Sequence, residues 1–229
     1  MREKMTKIYA KGNKNIILRV TPGHFVTPQS HITHYLDMTT MRSRVSEAQA
    51  VAKELANKYQ VSTPVDTIVC MDSLEVIGAF LAEELTKAGV HSMNAHQTIY
   101  VTSPEFNSQG QILFRDNIQP MIKGKNCIIL MSSVTTGKTL QSGIESILYY
   151  GGVIRGVSAI FSAVSKVAGV DVDSIFRQKG QLMCPDGNFP SSQKLSDAEI
   201  NVLQIWVKPE VKVKCFISNS YTGDFFDQT

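Results

Sequence analysis

The sequence predicts an α/β protein: a central, mostly parallel sheet flanked by helices, with small additions at both ends. Three observations point there. Apolar runs of strand length recur at 67–71, 127–131 and 157–161 and read as buried strands. Amphipathic stretches with helical spacing lie between them, at 76–88 and 139–150. The strand–helix–strand order repeats from Thr67 to Phe161, and strands joined in this way run parallel.

Taken in order, residues 16–20 form a short apolar strand ended by a turn at Thr21-Pro22-Gly23. The helix read at 46–59 has Val45, Ala48, Val51, Ala52, Leu55 and Tyr59 at helical spacing, with Glu47 in the first turn. The strand at 67–71 leads into a helix over 76–88, whose apolar face is Ile77, Phe80, Leu81 and Leu85 and whose stop is Gly89. Residues 97–102 alternate like a strand, and the polar stretch 103–110 reads as a mobile loop. Lys123-Gly124-Lys125 turns the chain into the strand at 127–131. The helix at 139–150 closes on Gly151-Gly152, and the strand at 157–161 follows. In the remainder, a helix is expected near 196–207, with Trp206 on its apolar face, and a strand at 211–218. No internal repeat or linker divides residues 1–229, so a single domain is expected, with its core at about 45–162.

Bulk properties narrow the function classes. A hydrophobic fraction of 43% supports a sizeable core. A net charge of +3 without clustered Lys and Arg gives no nucleic-acid footprint. The N-terminus is charged and lacks the apolar core of a signal peptide, and no apolar run approaches the roughly 20 residues of a membrane span. Cys70 and Cys127 sit in apolar runs as reduced thiols, and no CxxC pair suggests zinc. A cytoplasmic protein is expected, without membrane or nucleic-acid partners.

The chemistry concentrates after the strand at 127–131. Ser132-Ser133-Val134-Thr135-Thr136-Gly137-Lys138-Thr139 runs from a buried strand into a helix. A small-residue turn of this kind offers free backbone N–H groups at a helix N-terminus, where the macrodipole favours an anion. Thr135, Thr136 and Thr139 add hydroxyls, Lys138 adds a charge, and Gly137 permits a backbone conformation that a side chain would block. An ordinary Thr-capped connection is the bland alternative. A P-loop, G-x-x-x-x-G-K-[ST], matches only its end, Gly137-Lys138-Thr139, because its first glycine falls on Ser132.

A second family accounts for more of the chain. Val134-Thr135-Thr136-Gly137-Lys138-Thr139-Leu140 after an apolar strand resembles the phosphate half of the type I phosphoribosyltransferase signature. Pro22-Gly23-His24-Phe25-Val26-Thr27-Pro28-Gln29-Ser30, with Tyr35-Leu36-Asp37, is similar to the N-terminal segment of orotate phosphoribosyltransferases. The resemblance covers roughly 16–162, with the elements in the family's order. It implies a phosphorylated ribose ligand, either a nucleotide or phosphoribosyl pyrophosphate. The 5′-phosphate would lie on Thr135, Thr136, Gly137, Lys138 and Thr139, with the terminal segments forming a hood. It also implies a homodimer, and magnesium if the chain is active.

The resemblance also locates departures. The acidic pair that contacts the ribose hydroxyls falls on Met131 and Ser132, with Ser133 beside them. The pyrophosphate loop falls on Met71, Asp72 and Ser73, and Asp72 and Glu75 are read first as a helix cap and a first-turn acid. Residues 100–110 contain no Lys or Arg, and Arg115 only flanks that loop. Phosphoribosyl transfer needs groups placed against the developing charges. The sequence therefore predicts ligand binding with weak or absent transferase activity. An active phosphoribosyltransferase using Ser132, Ser133 and Lys138 is the alternative. Two further features take bland readings: His24, His31 and His34 fit no metal-ligand spacing and read as surface or base-contacting histidines, and Met183-Cys184-Pro185-Asp186-Gly187 reads as a turn. Ile160 and Phe161 end a strand where a base could stack.

Overall fold

A computed structural model of the chain describes residues 5–26, 31–59, 63–87, 94–95, 97–108 and 110–178, and the strands 215–218 and 225–227. The helix expected at 196–207, Gly89, and the turn at 183–187 lie outside the described residues.

The chain begins with β1 (Thr6–Tyr9), β2 (Ile17–Val26) and β3 (His31–Asp37), followed by the short helix α1 (Thr39–Ser43) and then α2 (Val45–Ala56). β4 (Thr67–Cys70), α3 (Glu75–Thr86) and β5 (Tyr100–Thr102) come next. A small hairpin, β6 (Glu105–Phe106) and β7 (Ile112–Leu113), precedes β8 (Asn126–Val134), α4 (Lys138–Tyr149) and β9 (Val153–Ser162). β10 (Lys166–Val167) and β11 (Val170–Arg177) follow, and β12 (Cys215–Ser218) and β13 (Phe225–Asp227) end the described chain.

The main sheet has the order β10-β11-β9-β8-β4-β5, and every pairing in it is parallel except that of β10 with β11. Its strands are covered on both faces, which is why they read as unbroken apolar runs. Ile68, Cys70, Ile128 and Leu130 pack on one side with the Ala48, Val51 and Leu55 face of α2 and with Ile77 and Leu81 of α3. Val69, Met71, Ile129 and Met131 pack on the other side with Leu140, Ile144 and Ile147 of α4. The assignment alternates residue by residue, as the pleat requires. At Gly78, α3 approaches β4 so closely that any Cβ would overlap Cys70 Sγ. Cys70 and Cys127 are buried and unpaired, and burial pushes both thiols up, Cys127 to about 11.

A second sheet joins the two ends of the chain: β2 pairs with β1, β3 and the C-terminal β12, which in turn pairs with β13. It is fixed to α1 and α2 by a largely buried ion pair. Arg19 Nη2 donates to Glu47 Oε1 at 3.2 Å, and Thr40 Oγ1 donates to Glu47 Oε2 at 2.9 Å. Burial would raise the Glu47 pKa, but the hydrogen bonds from Arg19 and Thr40 and the charge of Arg19 override it and hold the carboxyl below its usual range.

Six sequence expectations change. Val45, expected on the apolar face of α2, is exposed at its first position, and His34, expected as a surface or base-contacting histidine, is buried. The turn at Thr21-Pro22-Gly23 is absent, because β2 continues through it with an irregularity between Pro22 and Phe25, the kind of place where a strand tolerates proline. The loop expected at 103–110 contains one arm of the β6–β7 hairpin. The parallel sheet continues beyond 162 through β11. Asp72 does not cap α3, whose N-cap is Leu74, although Glu75 does occupy its first turn. Among the described residues no helix is long and apolar enough to cross a membrane.

Candidate functional site

Numbered along the chain, the parallel strands lie in the order 2-1-3-4-5, with β4 and β8 as the first and third. In such a sheet the chain leaves in opposite directions from those two strands, which opens a crevice at their carboxyl ends where ligands bind. The predicted phosphate turn leaves the end of β8, and the loop 71–74 leaves the end of β4. The topology therefore brings together the two groups of residues that the sequence singled out separately.

The turn itself has the geometry of an anion cradle. Gly137 is the N-cap of α4 with φ of 81°, a left-handed conformation that favours glycine. No side chain caps the helix. The first helical acceptor is used by Gln141 N–H, on the Gly137 carbonyl at 2.8 Å, so the preceding N–H groups of the helix start have no acceptor within the helix. Lys138 N–H makes a long contact with Thr136 Oγ1 at 3.4 Å. Thr135, Thr136 and Thr139 are half-buried and Lys138 is exposed, so the turn is accessible to solvent. The segment after β9 braces the turn from behind. Ala163 N–H donates to the Val134 carbonyl at 2.8 Å, and Val167 packs against Gly137.

The neighbouring loop is held in an unusual conformation. Asp72 and Ser73 both adopt left-handed backbone angles, φ of 56° and 57°. Asp72 Oδ2 accepts hydrogen bonds from Ser132 Oγ at 2.7 Å and Ser132 N–H at 3.2 Å. Arg42 Nη1 donates to the Asp72 carbonyl at 2.9 Å. Met71 and Met131 are buried in the core, whereas Asp72 and Ser73 of the loop after β4 are exposed and Ser132 and Ser133 at the end of β8 are half-buried. Ile160 and Phe161 are buried as well and offer no open face for stacking. Arg115 pairs with Glu105 across the β6–β7 hairpin, so the cation flanking that loop is engaged.

The P-loop reading fails on this geometry. Ser132, Ser133 and Val134 belong to β8, and Ser133 and Val134 pair with Phe161 and Ser162 of β9, so they cannot wrap a phosphate as loop residues. Helices on both faces, the strand order and the switch-point turn give a different answer. The fold is that of the type I phosphoribosyltransferases.

The UMP synthase of Leishmania donovani is similar to this chain with a TM-score of 0.50 and 17% identity, over 69% of this chain and 33% of that one. An orotate phosphoribosyltransferase of Mycobacterium tuberculosis gives a TM-score of 0.48 at 11% identity, covering 70% of this chain and 90% of the other. An adenine phosphoribosyltransferase of Trypanosoma brucei, solved with AMP, pyrophosphate and ribose-5-phosphate, gives 0.48 at 13%, covering 79% and 88%. No family model matches the chain, and no curated protein matches it.

Sequence reading missed two residues that shape this candidate site. Arg42 reaches a backbone carbonyl thirty positions away, and a carbonyl leaves no trace in residue type. Val167 lies on β10, a two-residue strand too short to show periodicity. His34 is buried, with Nδ1 3.1 Å from Thr33 Oγ1, and Nε2 has no partner among the described residues. Burial lowers its pKa to about 4. Among the described residues no group of three or more His, Cys, Asp and Glu is placed to hold a metal ion.

Proposed function

We propose that the chain binds a phosphorylated ribose compound, with the phosphate on Thr135, Thr136, Gly137, Lys138 and Thr139, and that its phosphoribosyl transfer is weak or absent. The observation that carries this reading is the left-handed Gly137 opening α4 at the sheet's switch point, with N–H groups free of helical acceptors beside three threonine hydroxyls. The weak-transfer part rests on the rest of the site. Met131 is buried, Ser132 is engaged by Asp72, and Asp72 and Glu75 stand where a departing pyrophosphate would need cations. If magnesium took part, the exposed carboxylates beside it would be those of Asp72 and Glu75, and it would depend on the ligand's own oxygens for its remaining coordination. The same reading carries an expectation of a homodimer in the cytoplasm.

Calorimetric titration with inorganic phosphate, ribose 5-phosphate and orotidine monophosphate tests the reading. Binding that disappears with Lys138→Glu is expected, because the substitution sets a negative charge at the cradle without touching the core. Failure of all three compounds to bind the wild-type chain would remove the proposal.

A further inference from the structure

Asp72 poses an electrostatic problem that the phosphate cradle does not answer. An exposed carboxylate stands at the end of β4, one strand away from β8, on the side of the sheet where the anion is expected. Facing a phosphate alone, it would weaken binding. The protein nevertheless fixes it firmly. Two donors from Ser132 hold Oδ2, Arg42 holds the carbonyl, and the next residue, Ser73, is also kept in a left-handed conformation. Neither Asp72 nor Ser73 is a glycine, and each such conformation persists only where its surroundings enforce it. Leu74, fully buried, anchors the loop on its far side. The second carboxylate oxygen, Oδ1, meets no donor among the described residues.

We infer that Asp72 is a hydroxyl acceptor for the ligand, and that it selects a phosphate ester carrying vicinal hydroxyls. The inference rests on the reading given above and deepens it. Asp72 belongs to the exposed loop that leaves β4 beside β8, and on this inference its free Oδ1 meets the ligand's hydroxyls while the turn beginning three residues after Ser132 takes the phosphate. A ligand spanning the two must bring an anion at one end and O–H donors at the other, as a pentose 5-phosphate does. The carboxylate missing from β8 is thereby supplied from β4, and Ser132 serves as its positioning residue.

The test compares ribose 5-phosphate, 2-deoxyribose 5-phosphate and inorganic phosphate on the full chain by calorimetry. Wild type should prefer the ribose compound over the deoxy compound by at least about tenfold, the scale of one hydrogen bond to a charged acceptor. Asp72→Asn should bring that ratio close to one while phosphate still binds. Asn tolerates the left-handed backbone, so the fold should survive. Asp72→Gly, which tolerates it better still, provides a second variant. A merely structural latch would lower affinity for both sugars alike and leave the ratio unchanged, which would overturn the inference. So would phosphate binding by wild type with no preference between the sugars. If wild type binds none of the three, the phosphate-site reading itself fails and takes this inference with it.

Discussion

Gly137 carries two constraints at once. Its φ of 81° is left-handed, and a Cβ there would come within 2.5 Å of Val167 Cγ2. Gly169 has nearly the same φ, 82°, but a Cβ there would meet nothing within 4 Å. The pair therefore separates backbone strain from packing. Gly169→Ala should cost about 1–2 kcal/mol, the ordinary penalty for a left-handed alanine. Gly137→Ala should cost more, and Val167→Ala in the same chain should recover the excess if the β10 contact is its source. Urea unfolding of the two single variants and the Gly137→Ala/Val167→Ala double variant measures this. Equal losses at 137 and 169 would show that β10 does not brace the turn. The comparison also bears on function, because a cradle held by packing is pre-organised for its anion.

At the scale of elements, the attachment of the second sheet should be sensitive to acid. His34 on β3 is buried, and burial lowers its pKa from 6.5 to about 4. The unfolded chain therefore binds a proton more readily than the folded one, and stability falls as pH drops from 6.5 towards 4. Glu47, which joins β2 and α1 to α2, has a lowered pKa, so its contribution is lost only as pH falls below the ordinary glutamate range. At pH 5 the histidine effect stands nearly alone. Wild type should lose of order 1–2 kcal/mol between pH 7 and pH 5, and His34→Gln should lose clearly less. Urea midpoints at the two pH values decide it, and an equal loss in both proteins would contradict the burial of a neutral imidazole.

The elements also show what a single sequence reveals. Strands buried on both faces, such as β4, β8 and β9, advertise themselves, because every position must be apolar. α2, α3 and α4 are legible for the complementary reason, one apolar face each. From sequence β2 ends at Thr21-Pro22-Gly23, which has turn chemistry, and its pairing with β3 is what keeps the strand extended through it. The β6–β7 hairpin hides in a polar stretch, and β11 alternates Val170, Asp171, Val172 and Asp173 with no helix between it and β9 to mark it. Of the site, the phosphate turn is local and therefore readable. The Asp72–Ser132 contact joins residues sixty apart and exists only because β4 and β8 are neighbours in register.

For the whole molecule, the question is whether a fold shared with transferases carries transfer. Fold alone does not settle activity, which depends on the groups placed at the site. The chain has the sheet, the switch point and a glycine-started turn at the end of β8, the parts on which the proposed binding rests. It lacks free cations over 100–110, its nearby Arg115 is paired with Glu105, and its site carboxylate is bound to Ser132. Those differences affect the transition state more than the ground state, and only interactions stronger in the transition state raise turnover. Formation of orotidine monophosphate from orotate and phosphoribosyl pyrophosphate, with magnesium, should therefore be absent or far below the enzyme median of about 10 per second. The obvious repair also has a limit visible in the structure. Met131 faces the core beneath α4, so Met131→Glu would bury an unpaired carboxylate and destabilise the chain by several kcal/mol. Ser132→Asp instead adds a carboxylate at the open position, at the expense of the bond to Asp72. Measuring turnover for wild type, Ser132→Asp and Ser132→Asp/Asp72→Ser separates the possibilities. Wild-type turnover near the median would overturn the weak-transfer reading. A gain confined to the double variant would show that the position of one carboxylate limits the chemistry.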